Sequence, residues 1–278
     1  MANVIHLELI TQHSTTWNNW RKENPTTIPD LSGADLTDAN LNNLNLKGVN
    51  FKGANLSQAN LAGANLSKAN LSQANLTRVY ANDADFSLGN LQDANLYGGY
   101  FSQADFSRAC LSGVNLQEAS CLEAYFISAR LPYANLAKGN FNGAYFTEAD
   151  LSHSNSIKAS FIEADLTTTT VKGADFTNAN LTGALVEDLQ LDSLTVFDHV
   201  FCDSISFSAQ TLVETPHQSP WTTESFKMLL NDKVVYGVDN QVQEKSLNHG
   251  RFEQGQNSLE QRLQSLVNSV STNYHYAG

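Results

Sequence analysis

The residues of this chain that could do chemistry are scattered, and their spacing argues against an active site. Seven histidines stand at positions 6, 13, 153, 199, 217, 249 and 275, and none has a second ligand at the i, i+4 distance that a helical metal site requires. Cys110, Cys121 and Cys202 are read as outward, inward and outward on different turns of a repeating coil, so neither a disulfide nor a zinc set is expected. No glycine-rich phosphate loop and no GxSxG elbow occurs. The acid pairs Asp83/Asp85 and Glu163/Asp165 fall on a convex surface, where they stay hydrated and lack the desolvation that tunes a catalytic acid. His153 beside Ser154 and Ser156 is the most enzyme-like spot. Because Ser156 stands where neighbouring units carry Leu or Phe, it reads as a packing defect that holds water. The sequence therefore predicts no catalysis, no metal and no cofactor.

Charge narrows the partners. With 28 Asp and Glu against 16 Lys and Arg the formal charge is −12, which disfavours direct nucleic-acid binding and favours a neutral or basic protein partner. No apolar run approaches the ~20 residues that span a bilayer. The opening MANVIHLELI lacks a basic stretch followed by an apolar one, so no secretory signal is expected. A cytoplasmic protein in a reducing compartment follows.

What must position these residues is a five-residue register. From Leu31 to Phe201 every fifth position is mostly Leu or Phe, and the residue two places earlier is small, usually Ala. Five fits neither the 3.6 period of a helix nor the 2.0 period of a strand, so the chain must turn a corner in each unit. The large and the small residue point inward; the Asn, Asp, Ser and Gly between them point outward and favour turns. Four corners close a coil of twenty residues, and the stack is on the order of 40 Å long at the spacing of a β ladder. Inward aromatics gather at Phe86, Phe101, Phe106, Phe126, Phe141, Phe146 and Phe161.

Runs such as ANLSQANLAGANLSKANLSQANL, residues 54 to 76, resemble the pentapeptide-repeat proteins. The opening TTWNNWRKENPTTIPDLSGADL, residues 15 to 36, is similar to that of cyanobacterial members. The resemblance implies an all-β fold, a right-handed quadrilateral β-solenoid with short helical caps at both ends. Three parts are expected: an N-terminal helical cap (1–30), the solenoid (31–206), and a C-terminal cap and appendage (207–278). In the first, Trp17 and Trp20 lie on one helical face and bury against the first coil, with Pro25 and Pro29 ending the helix. In the last, WTTESFKMLLN is read as a helix capped by Ser219 with Pro220 in its first turn, and Val234 to Val238 as a short strand. Residues 239 to 257 are read as a flexible linker, and Ser258 to Val270 as an amphipathic helix. Its apolar stripe packs on the last coil or forms a homodimer with a second copy. Leu189, Leu194 and His199 fill the small place near the end of the register, so the last coils are expected to widen.

Positions twenty apart share a face. The face centred on 41, 61, 81 and onward to 201 carries no Lys or Arg, whereas each of the other three carries three. Asp83, Glu123, Glu163 and Asp203 take the same corner place at every second coil, roughly 10 Å apart. Asp85, Asp105 and Asp165 line the neighbouring edge, Tyr80 and Tyr100 flank one side, Tyr125 and Tyr145 the other, and Leu122 and Ile127 are read as exposed between them. This acidic, tyrosine-bearing face is the expected binding surface of a non-catalytic scaffold or regulator. The family resemblance supplies an alternative, a DNA mimic that binds a type II topoisomerase (gyrase) and protects it. Residues 31 to 203 hold 18 acids against 9 bases, a net of −9. That is far sparser than the one charge per ~1.7 Å of duplex DNA.

Overall fold

A computed structural model describes residues 2–12, 14–208, 211–214 and 220–231. Two units are distinguished, Met1–Lys233 and Val234–Gly278. The whole of the second lies outside the described residues, and with it the expected strand, linker and amphipathic helix after Val234.

Each five-residue unit is a turn followed by one bridging residue. The amide of the residue three after the large centre donates to the centre's carbonyl, as from Ala54 to Phe51 at 2.9 Å. The third residue of that turn has positive φ at every corner from Gly33 to Asp188, which favours the glycines there although many corners carry Gln, Lys, Arg or Glu instead. Between turns the chain pairs in parallel with the coil that follows, residue i with i+20, from Asp30 with Asn50 to Thr170 with Gln190. Where the residue just before the centre is Asn or Asp, its side chain also closes the corner. In Asn75, for example, Oδ1 accepts from the Thr77 amide at 3.1 Å while Nδ2 donates to Asn55 Oδ1 at 2.9 Å. Polarity at this position serves the backbone first.

The interior is one column of apolar side chains. Phe106, Phe126 and Phe146 stack at 5.0 and 4.7 Å, and Phe161, Phe176 and Phe197 continue the series. Helix α1 (Val4–Thr11) and helix α2 (Ser14–Glu23) pack on the first coil. Trp17 is fully buried and its Nε1 donates to the Asn45 carbonyl at 2.9 Å. Arg21 donates to the carbonyls of Thr27 and Lys47, and its burial pulls the guanidinium below its usual range.

The register does not run unbroken to Phe201. After Gln190 the partners become Asp175 with Val196 and Asn180 with Phe201, an offset of twenty-one, so one extra residue sits in the corner from Gln190 to Val196. Asp192 makes room for it. Its carboxylate accepts from the amides of Gly173, Leu194 and Thr195, each at 3.0 Å. In regular coils the amide equivalent to Gly173 donates to a backbone carbonyl, as from Gly53 to Ser72. Here a side chain replaces that carbonyl.

The slip corrects four expectations. Of the three bulky residues only Leu189 keeps the small place, half-buried against the core; Thr195 and Val200 take the next two places, while Leu194 turns outward, 65% exposed, and His199 is exposed too. Phe201 is 47% exposed and not in the core, and Cys202 is buried instead of outward, with its thiol pushed up to about 12 by desolvation. Asp203 leaves the corner place shared by Asp83, Glu123 and Glu163, because it now follows an inward Cys202 by one residue. The C-terminal cap contains a hairpin as well as a helix. Strand β1 (Ala184–Leu185) pairs in parallel with β2 (Ser204–Ser208), and β2 pairs antiparallel with β3 (Thr211–Glu214).

Helix α3 (Thr223–Asn231) starts later than Ser219-Pro220 implied. Thr222 caps it, with Oγ1 accepting from the Ser225 amide at 3.2 Å. Asp198 anchors it by accepting from the Thr223 amide and hydroxyl, and this bond holds the Asp198 carboxyl below its usual range. Phe226 packs on Phe197 at 4.9 Å, so the cap extends the phenylalanine column.

Candidate binding face

The residues that the sequence placed on one face do line two adjoining corners of the stack. Asp83, Glu123 and Glu163 occupy third turn positions with φ of 59°, 55° and 56°. A side chain leaving the backbone in that conformation lies over the same position of the next coil. Gln103 fills it after Asp83 and donates to Glu123 Oε2 at 3.1 Å. Glycines fill it afterwards: a Cβ on Gly143 would come within 3.3 Å of Glu123 Cγ, and one on Gly183 within 3.2 Å of Glu163 Cγ. Glycine thus leaves room for the side chains of Glu123 and Glu163, whereas Gln103 over Asp83 shows that the place also accepts a long side chain. The same arrangement recurs at Arg78 over Gly98 and His153 over Gly173, so it does not by itself mark a ligand site.

The edge acids are anchored. Asp85, Asp105 and Asp165 are half-buried and accept from the amides of Ser87, Ser107 and Thr167 at 2.8 to 2.9 Å. The aromatics divide into two kinds. Tyr80 and Tyr100 stack at 5.3 Å with 6° between planes and are 52% and 46% exposed. Tyr125 and Tyr145 stack as closely, at 5.0 Å, but Tyr125 is buried and Tyr145 half-buried. Ile127 is buried too, against expectation. Leu122 is exposed in the same turn as Glu123. Among the described residues the only ion pair, Lys138 Nζ to Glu118 Oε1 at 3.1 Å, lies at a different corner. There Tyr97 donates to Glu118 at 2.7 Å, which raises the phenol and, with Lys138, lowers the carboxyl.

His153 and its serines separate. His153 turns outward and stacks on Tyr133 at 5.1 Å, whereas Ser154 and Ser156 are buried and their hydroxyls have no hydrogen-bond partner. A base on one side of the wall and hydroxyls on the other form no nucleophilic pair. The exposed Tyr133 was missed in the sequence; its signal was an aromatic twenty residues before His153, in the same turn position. No group of three or more His, Cys, Asp or Glu among the described residues could hold a metal ion. No helix among them is long and apolar enough to cross a membrane.

A family profile, pentapeptide repeats, matches in eight copies between residues 30 and 183. The chain belongs to the pentapeptide-repeat family. Its coil is therefore the right-handed quadrilateral β-solenoid of that family, with helical caps at both ends. Similar solved structures include HetL, a pentapeptide-repeat protein involved in heterocyst differentiation regulation in the cyanobacterium Nostoc, at 20% identity over 67% of this chain and 94% of that one, TM-score 0.46. QnrB1, a plasmid-mediated fluoroquinolone resistance protein, is similar at 18% identity over 59% and 83%, TM-score 0.41. A pentapeptide-repeat protein from the cyanobacterium Cyanothece is similar at 22% identity over 50% and 91%, TM-score 0.17. No curated protein matches the chain.

Proposed function

We propose that this pentapeptide-repeat protein is a non-catalytic scaffold or regulator that binds a neutral or basic protein through the face bearing Asp83, Glu123 and Glu163. One observation carries the reading: stacked, exposed Tyr80 and Tyr100 share a face with these acids and with exposed Leu122, and that face has no Lys or Arg. Flat aromatic and apolar area beside unopposed charge supports a protein interface, because it gives contact area at little entropic cost while the charge steers approach. Among the described residues neither Asp83 nor Glu163 has a cationic partner, so both are available to one.

The test is a triple reversal, Asp83→Lys, Glu123→Lys and Glu163→Lys, beside a control reversal of Asp93 and Asp150 on another face. Partners captured by the wild type and the control, with affinity that falls as salt rises, should be lost by the triple variant, while its melting curve stays nearly unchanged. A partner held equally well by the triple variant moves the site off this face. Inhibition of purified gyrase supercoiling by the wild type would replace the reading with DNA mimicry.

A further inference from the structure

Helices α1 and α2 cover only half of the first coil's free edge. Every coil offers the preceding one a fixed set of backbone groups, and in the first coil that set has no coil before it. On two sides the N-terminal segment supplies substitutes. Asn3 donates its amide to the Asp30 carbonyl, and His6 Nδ1 accepts from the Asp30 amide. Asn18 bonds the Asn43 carbonyl and the Asn45 amide, Trp17 the Asn45 carbonyl, and Arg21 the Lys47 carbonyl. On the other two sides nothing among the described residues does so. The amides of Asp35 and Asn40 and the carbonyls of Asp35, Thr37, Asn40 and Asn42 have no partner there. Their counterparts one coil later are all paired, as from Asn55 to the Ala34 carbonyl and from Leu41 to the Asn60 carbonyl. A cavity of about 450 Å³ lies along this stretch, lined by Ile10, Thr11, Gln12 and residues of the edge itself.

Unpaired donors and acceptors in ladder order are a template for another strand. We propose that this uncovered edge docks an extended segment of a partner protein, which adds in parallel as a further half-coil. Among the described residues Asp35 is the only charged one lining the cavity, so the segment lacks acidic side chains there. A second copy fits worse. Parallel continuation needs the opposite end of the stack, and that end is covered by Trp221, α3 and the β2–β3 hairpin.

The chain holds a suitable probe. Residues 54 to 65, ANLSQANLAGAN, carry no charge, and toward the coil that follows them they make the same six bonds that the edge lacks. The amides of Leu56, Gln58, Leu61 and Gly63 donate forward, and the carbonyls of Ala54 and Ala59 accept. The experiment titrates the full-length protein with this synthetic peptide and follows amide exchange by NMR. The Asp35 and Asn40 amides should exchange rapidly without peptide and slow on binding. Methylating the peptide nitrogens at the positions of Leu56 and Leu61 should weaken binding by about two- to tenfold per bond removed. The variant Asn40→Pro removes the edge donor together with the bond from the Asn42 amide to Asn40 Oδ1, whereas Asn40→Ala removes only the latter, so the two should differ little in melting while the Pro variant binds the peptide less. Unchanged exchange of both amides at millimolar peptide overturns the proposal. So does protection without peptide: concentration-dependent protection assigns the edge to a second copy, and concentration-independent protection to the chain itself.

Discussion

The coils from Leu31 to Gln190 and the coil that follows them use the same turn, yet one extra residue separates them. In the regular part each corner is closed by a backbone bond to the next coil and, where Asn or Asp precedes the centre, by that side chain within the turn as well. In the last coil Asp192 takes both roles, capping its own turn and receiving the Gly173 amide. The comparison teaches that the repeat length is enforced by neighbours on both sides. An internal coil must match the coils before and after it, and a one-residue slip there would turn every inward side chain outward. The last coil has a neighbour on one side only, and the cap can be built around the slip.

Deleting residues breaks the comparison most severely. Removing one full coil, 91 to 110, should leave a folded protein with cooperative denaturant unfolding, because stacking is between nearest neighbours. Removing seven residues from the same place should abolish folding. Equal stability of the two deletions would contradict the enforced period.

Two phenylalanines in the same sequence register should then differ sharply. Phe126 is fully buried between Phe106 and Phe146, and Phe126→Ala should cost about 3–5 kcal/mol. Phe201, turned out by the slip, should cost less than about 1 kcal/mol on the same substitution. Similar losses in urea melts would mean that the slip is absent in solution.

Within the regular part, Ser156 marks the weakest core position. Its hydroxyl is buried without a partner where other units place Leu or Phe, so Ser156→Leu should raise stability by roughly 1–3 kcal/mol. A loss instead would show that water fills the space and binds both serine hydroxyls.

The smallest effect is in acid. The amide of Gly173, with those of Leu194 and Thr195, holds the Asp192 carboxyl below the usual carboxylate range. A carboxyl lowered by folding stabilises the protein above its unfolded value, about 3.9, and that contribution is lost as pH falls through the lower folded value. Asp192→Asn should therefore lower the thermal midpoint at pH 7 and converge on wild type near pH 2. A gap that persists in acid would assign the effect to shape and not to charge.

The sequence by itself determined the period, the inward positions of the large and small residues between Leu31 and Gln190, and the burial of Trp17, because each follows from side-chain type within a few residues. It also put Tyr80 and Tyr100 beside Asp83, since stacking at twenty residues fixes which positions are neighbours. Tertiary structure alone decided the rest. Tyr125 and Ile127 look as exposed in the sequence as Tyr80 does, but both are buried, Tyr125 with its ring stacked on Tyr145, and such coverage depends on several coils at once. The slip at Asp192 was hidden because Leu191, Val196 and Phe201 continue the apolar register in sequence; only the pairing of Val196 with Asp175 shows that the chain has moved on by one. Likewise nothing in the first coil's residues distinguishes Asp35 and Asn40 from Asn45. Whether an edge is covered depends on where the helices before it come to rest, and that is set by packing against the whole coil end.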